Sequence, residues 1–123
     1  MAENKTELLL NGIDKAKAVV AAASDKLATD IVILDMKQSC AFADYFVICS
    51  GDSDRQIAAI YEEVWHRLKN EGVLPHHHEG TVDSGWLLLD FGDVIVHIFS
   101  PNERDYYRLD QLWADAVPVL RMQ

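Results

Sequence analysis

The sequence of 123 residues predicts an α/β (α+β) fold: a small mixed β-sheet with packing helices. Segments with apolar residues at helical spacing alternate with short runs rich in β-branched and aromatic residues. The segment WLLLDFGDVIVHIF, residues 86–99, carries a two-residue turn between two such runs. No repeat, low-complexity tract or linker divides the chain, so residues 1–123 are expected to form one domain. That length buries a core that needs neither disulfide nor metal.

Asn4 and Glu7 form a capping pair for a first helix, along which Leu9, Ile13, Ala16 and Val20 recur until the polar break near Ser24 and Asp25. IVILDM at 31–36 and DYFVICSG at 44–51 read as buried strands framing the loop KQSCAFA. Ser53 and Gln56 form a second capping pair. Ile57, Ile60, Tyr61, Val64 and Leu68 then follow on one helical stripe, which Gly72 terminates.

In 86–99, Gly92-Asp93 is the hairpin turn, with glycine supplying the positive φ. A two-residue turn places Leu87, Leu89, Phe91, Val94, Val96 and Ile98 on one face, which is all core. Trp86, Leu88, Asp90, Ile95, His97 and Phe99 share the other face. That second face is apolar but carries one acid and one imidazole, a mixture suited to a protein interface. The competing reading has a helix covering it, with Asp90 and His97 satisfied internally. A last helix starts with Ser100 as N-cap, Pro101 at its first position and Glu103 as the capping acid. Tyr106, Leu109, Leu112, Trp113 and Ala116 lie on its inner side, and Pro118 limits its end. The chain is thus expected to close with a β-hairpin and then a helix.

A formal net charge of −9 disfavours broad contact with nucleic-acid phosphate and points to a basic partner, a protein rather than RNA. The two cysteines, Cys40 and Cys49, lack C-x-x-C spacing and read as buried reduced thiols in a cytoplasmic protein. The start MAENKTELLL is unlike a signal or transit peptide, and no run approaches membrane-spanning length.

PHHHEG, at 75–80, raises the question of metal. In a strand His76 and His78 point one way while His77 and Glu79 point the other, so at most two histidines converge on one ion. His66 and His97 are the further candidate ligands, H-E-x-x-H is absent, and the segment reads as a solvated connector. GDSDRQ at 51–56 is ordinary helix capping rather than a phosphate cradle, because Asp52 and Asp54 already supply negative charge there. Without G-x-S-x-G or either phosphate-binding glycine motif, no catalytic residue, metal site or cofactor is assigned, and the protein reads as a non-enzyme.

ADYFVICSGDSDRQ at 43–56, Glu79-Gly80, GWLLLDFGDVIVHIF at 85–99 and RDYYRLDQLWADA at 104–116 resemble the ribosomal silencing factor RsfS, or Iojap, family. The similarity runs from about Asp30 to Ala116; the three histidines are not part of the pattern. The resemblance implies a small α/β domain whose shape is like that of nucleotidyltransferases without their activity. It also implies binding to the large ribosomal subunit through the basic ribosomal protein L-fourteen, which obstructs joining of the small subunit and lowers translation when nutrients are short. On this implication Trp86, Leu88, Asp90, Ile95, His97 and Phe99 become partner-binding candidates: Trp86 as an aromatic anchor, Asp90 pairing with Lys or Arg, His97 as a hydrogen-bonding group. Two alternatives are weighed beside it. A nucleotidyltransferase-related enzyme would need paired metal-binding carboxylates on one strand, and Asp83 and Asp90 are not an i, i+2 pair. A homodimer through an apolar sheet face could coexist with ribosome binding or compete with it for the same hairpin face.

Overall fold

In the computed structural model, which describes residues 11–107 and 117–122, the first helix, α1, spans Gly12–Asp25. The Asn11 side chain caps it by accepting the Asp14 N–H at 3.1 Å. It stops where the sequence turns polar. Leu27 N–H donates to the Ser24 carbonyl and Ala28 N–H to the Ala23 carbonyl, a closure that puts Leu27 at a φ of 63°. The Asn4–Glu7 start expected for this helix lies outside the described residues, as do the side chains expected on the inner side of the last helix, 106–116.

The strands β1 (Thr29–Asp35) and β2 (Tyr45–Ser50) fall on the two apolar runs expected to form them. Helix α2, Asp54–Asn70, begins with Ser53 Oγ accepting the Gln56 N–H at 3.1 Å. The return half of the capping pair differs from expectation: Gln56 Oε1 accepts from Asp52 N–H at 2.6 Å, not from Ser53. Its amide nitrogen donates to the carbonyls of Lys26 and Leu27, orphan groups at the end of α1. Gly72, at a φ of 83°, ends α2, with Val73 N–H returning to the Leu68 carbonyl.

Beyond it come β3 (His77–Glu79), a 3₁₀ turn (Val82–Ser84), β4 (Trp86–Asp90), β5 (Val94–Phe99), α3 (Pro101–Tyr107) and β6 (Val117–Met122). The sheet order is β3-β4-β5-β2-β1-β6; β2 and β5 run parallel and the other neighbours antiparallel. The mixed α/β class therefore holds, with one addition at its end. Pro118 pairs with Leu34 in edge strand β6, so the described chain finishes as a strand rather than a helix. An edge tolerates proline because one side of it needs no ladder donor.

The hairpin register is as the alternation requires. Trp86 pairs with Phe99, Leu88 with His97 and Asp90 with Ile95, leaving Gly92-Asp93 as the turn. Leu87, Leu89, Phe91, Val94, Val96 and Ile98 join the cluster that α1 and α2 cover. Lys15 Nζ, 3.0 Å from Asp93 Oδ1, ties α1 to the turn. The opposite face builds a second cluster in which Val32, Leu34, Phe46, Ile48, Ile95 and Phe99 are buried, with Met36 and Ala43 of the β1–β2 connection.

Candidate partner-binding site

The six candidates on the second hairpin face divide by strand. On β4, Trp86, Leu88 and Asp90 are half-buried, alternating with buried Leu87 and Leu89. On β5, Ile95, His97 and Phe99 are buried in the chain by itself. The difference follows from position: β5 lies inside the sheet between β4 and β2, whereas β4 is shielded on its outer side only by three-residue β3.

The polar members have internal partners. Asp90 Oδ1 accepts the Gly92 N–H at 2.7 Å and so supports the turn. Trp86 Nε1–H donates to His97 Nδ1 at 3.2 Å, while the indole stacks on the Phe99 ring with centroids 5.0 Å apart. His97 also meets Phe46 at 4.7 Å between centroids. Because Nδ1 accepts, the proton of the neutral imidazole sits on Nε2, which is buried and has no hydrogen-bond partner. Burial disfavours the imidazolium and holds the His97 pKa at about 3. His97 is therefore a neutral group in the floor of the site, held in one orientation by Trp86.

A cleft of about 250 Å³ opens beside Trp86, lined by Glu79, Gly80, Ser84, Trp86 and Leu88. The sequence reading did not assign Glu79 or Ser84 to a site. The signal available was Gly80-Thr-Val-Asp-Ser-Gly85, where Thr81 and Ser84 cap each other around the 3₁₀ turn and both glycines take positive φ. A Cβ on Gly80 would stand 2.1 Å from the Trp86 carbonyl oxygen, so this wall of the cleft requires glycine.

The histidines separate as strand alternation dictates. His77 Nε2 lies 2.6 Å from Glu79 Oε2 on the face of Trp86 and Leu88, while His78 turns to the α2 side, its ring 5.3 Å from that of Trp65. Among the described residues no group of three or more His, Cys, Asp or Glu side chains could hold a metal ion. Asp54 is the first residue of α2 and Asp52 sits just before its cap, so neither belongs to a strand-borne carboxylate pair. Cys49 is buried, with its thiol pushed up to about 12 by desolvation. Among the described residues no helix is long and apolar enough to cross a membrane.

Comparison with known proteins places this geometry in a family. Residues 10–123 match the family model described as ribosomal silencing factor during starvation, RsfS. The chain is 45% identical over 100 residues to the ribosomal silencing factor RsfS of Bacillus subtilis, covering 81% of this chain and 85% of that protein. It is 35% identical over 119 residues to the chloroplastic protein Iojap of Zea mays, covering 96% of this chain and 50% of that protein. Among solved structures, a Chromobacterium violaceum protein superposes with a TM-score of 0.82 at 33% identity, covering 85% of this chain and 88% of that one. A Bacillus halodurans protein gives 0.74 at 38% identity, covering 85% and 94%. The Bacillus subtilis relative is named as a silencing factor. With the motifs at 43–56, 79–80 and 85–99 now standing on β2, β3 and the β4–β5 hairpin, this chain belongs to the RsfS family of ribosomal silencing factors.

Proposed function

We propose that this protein is a translation repressor without catalytic activity. It binds the large ribosomal subunit through the basic ribosomal protein L-fourteen and obstructs joining of the small subunit. The observation that carries the reading is the β4 side of the hairpin face, where Trp86 and Leu88 are half-buried on the face that also carries Asp90 and Glu79, on a chain of net charge −9. An aromatic anchor on a face that also carries carboxylates suits a basic protein and repels phosphate. Trp86, Leu88 and Asp90 make the direct contact. Ile95, His97 and Phe99 form the floor that fixes Trp86.

The test is cosedimentation with purified large subunits, followed by subunit-joining assays and capture of the isolated basic ribosomal protein. Binding to the large subunit with fewer full ribosomes formed is expected; free passage of both subunits into full ribosomes rejects the reading. Asp90→Lys should impair capture by placing a cation against a basic surface.

A homodimer is favoured by a separate observation. Edge strand β6 exposes Val117, Val119 and Met122. Sedimentation equilibrium over a range of concentrations decides it, and pairing at the β6 edge leaves the hairpin face around β4 free for the ribosomal contact.

A further inference from the structure

We propose that the cleft beside Trp86 receives one basic side chain, a lysine or arginine of the protein partner, with Glu79 as its counter-charge. This deepens the ribosomal reading and rests on it for the partner's identity.

Four observations converge. The cleft of about 250 Å³ has the indole of Trp86 and the side chain of Leu88 as apolar walls, which suit the methylene stem of a long basic residue. At its rim Glu79 is held: His77 engages Oε2 at 2.6 Å, which orients the carboxylate and leaves Oε1 to accept from an incoming donor. Ser84, the other polar side chain of the lining, is committed internally. Its hydroxyl donates to the Thr81 carbonyl at 2.7 Å, and its oxygen accepts from the N–H groups of Thr81 and Trp86. The lining side chains thus present a carboxylate oxygen and no open donor, which selects a cation over an anion or a neutral acceptor. The fourth observation is the close approach of Gly80 to the Trp86 carbonyl, which sets the back wall on rigid backbone. Asp90, on the same face of β4 and paired with His77 across the β3–β4 ladder, adds a second negative charge nearby.

The inference is tested by titrating N-acetyl-arginine amide and N-acetyl-lysine amide into the ¹⁵N-labelled protein and following the Trp86 indole N–H and Gly80 amide resonances. Saturable shifts with both cations are expected, with none from the uncharged N-acetyl-citrulline amide and none in Glu79→Gln. Absent shifts, equal shifts from citrulline amide, or shifts persisting in Glu79→Gln overturn the proposal. With the isolated basic ribosomal protein as probe, Glu79→Gln should weaken affinity about tenfold and flatten its dependence on salt while thermal unfolding stays unchanged, since the Glu79 side chain is exposed. If Trp86→Ala loses that binding and Glu79→Gln keeps it, the interface stands and the cleft assignment falls. A wild-type protein that ignores the ribosomal protein defeats the ribosomal reading instead, and the amide titration still decides the cleft.

Discussion

Replacing Trp86 with Phe separates its hydrogen bond from its packing. A benzene ring can still stack on Phe99, but the 3.2 Å bond from Nε1–H to His97 Nδ1 is lost. The loss falls on His97, which is 4% exposed and whose Nε2–H already has no partner, so the imidazole is left with neither nitrogen satisfied. A buried acceptor without a donor costs about 1–3 kcal/mol. The smaller ring removes further contact area from a half-buried site, adding up to about 1 kcal/mol. Trp86→Phe should therefore destabilise by about 2–3 kcal/mol. His97→Leu behaves differently, because it removes the orphan donor along with the acceptor, and the half-buried indole N–H can turn to water. That change should stay within about 1 kcal/mol of wild type. Urea unfolding followed by far-ultraviolet circular dichroism, which does not depend on the tryptophan removed, measures the single and double variants. A coupling of about 1–2 kcal/mol is expected. If Trp86→Phe costs the same in the His97→Leu background, to within about 0.5 kcal/mol, the bond contributes nothing and Trp86 does not hold His97 in place.

Leu27 lies at a φ of 63° and is 76% exposed, so Leu27→Gly should relieve left-handed strain, lose little burial and stabilise by about 0.5–1 kcal/mol in the same unfolding assay; a loss would contradict the described end of α1. Gly80→Ala adds a Cβ 2.1 Å from the Trp86 carbonyl at a φ of 88° and should destabilise by at least about 2 kcal/mol; a wild-type melting temperature would show that the β3–β4 turn is built otherwise. Cys49, buried with its thiol raised to about 12, should resist Ellman's reagent at pH 8 until the chain unfolds, while half-exposed Cys40 reacts in the native state; two equally fast thiols would refute this. His97 binds its proton at the ordinary 6.5 when unfolded but only at about 3 when folded, so the unfolded state holds the extra proton between those values. Its contribution to stability is complete above 6.5 and declines as pH falls toward 3, by up to about 1.4 kcal/mol per pH unit. His97→Leu should show a shallower acid limb than wild type, and parallel limbs would contradict the assignment.

The hairpin was legible because three constraints agree on one register: a Gly-Asp turn, alternation on both arms, and a loop of even length that keeps the faces matched. Helix α2 was legible for a similar reason, since Ser53, the apolar stripe and Gly72 each mark a different part of it. Sheet order was not. Nothing local in YFVICS or VIVHIF states that they run parallel side by side, although six consecutive buried residues in β5 are what a strand covered on both faces requires. Strand β6 escaped because Pro118 reads as a helix stop, a signal equally compatible with an edge strand. Gln56 was placed correctly as a cap but with the wrong donor, Asp52 N–H taking the place of Ser53 N–H, because the turn that also engages Gln56 lies 29 residues away in sequence. The site followed the same division. Which residues share the hairpin face is a local property; which of them reach solvent depends on β2 and β3, the neighbours on either side.

That division also bears on how the face can bind. A surface built only from exposed apolar side chains would have to order them on association, at about 0.5–1.5 kcal/mol for each mobile side chain fixed. Here the ordering is present before any partner arrives. Phe99 and His97 are buried in the second cluster and grip Trp86 by a ring stack and a hydrogen bond, Gly80 presses against its carbonyl, and His77 steadies Glu79 at the rim. On the proposed reading the buried β5 residues serve recognition without being touched: they set the orientation of Trp86 on β4, the side chain proposed to meet the partner. In a complex of this kind, changes on β5 should act on binding and stability together through Trp86, as should changes at Asp90 through the turn it supports, whereas changes at exposed Glu79 should act on association while the fold remains intact.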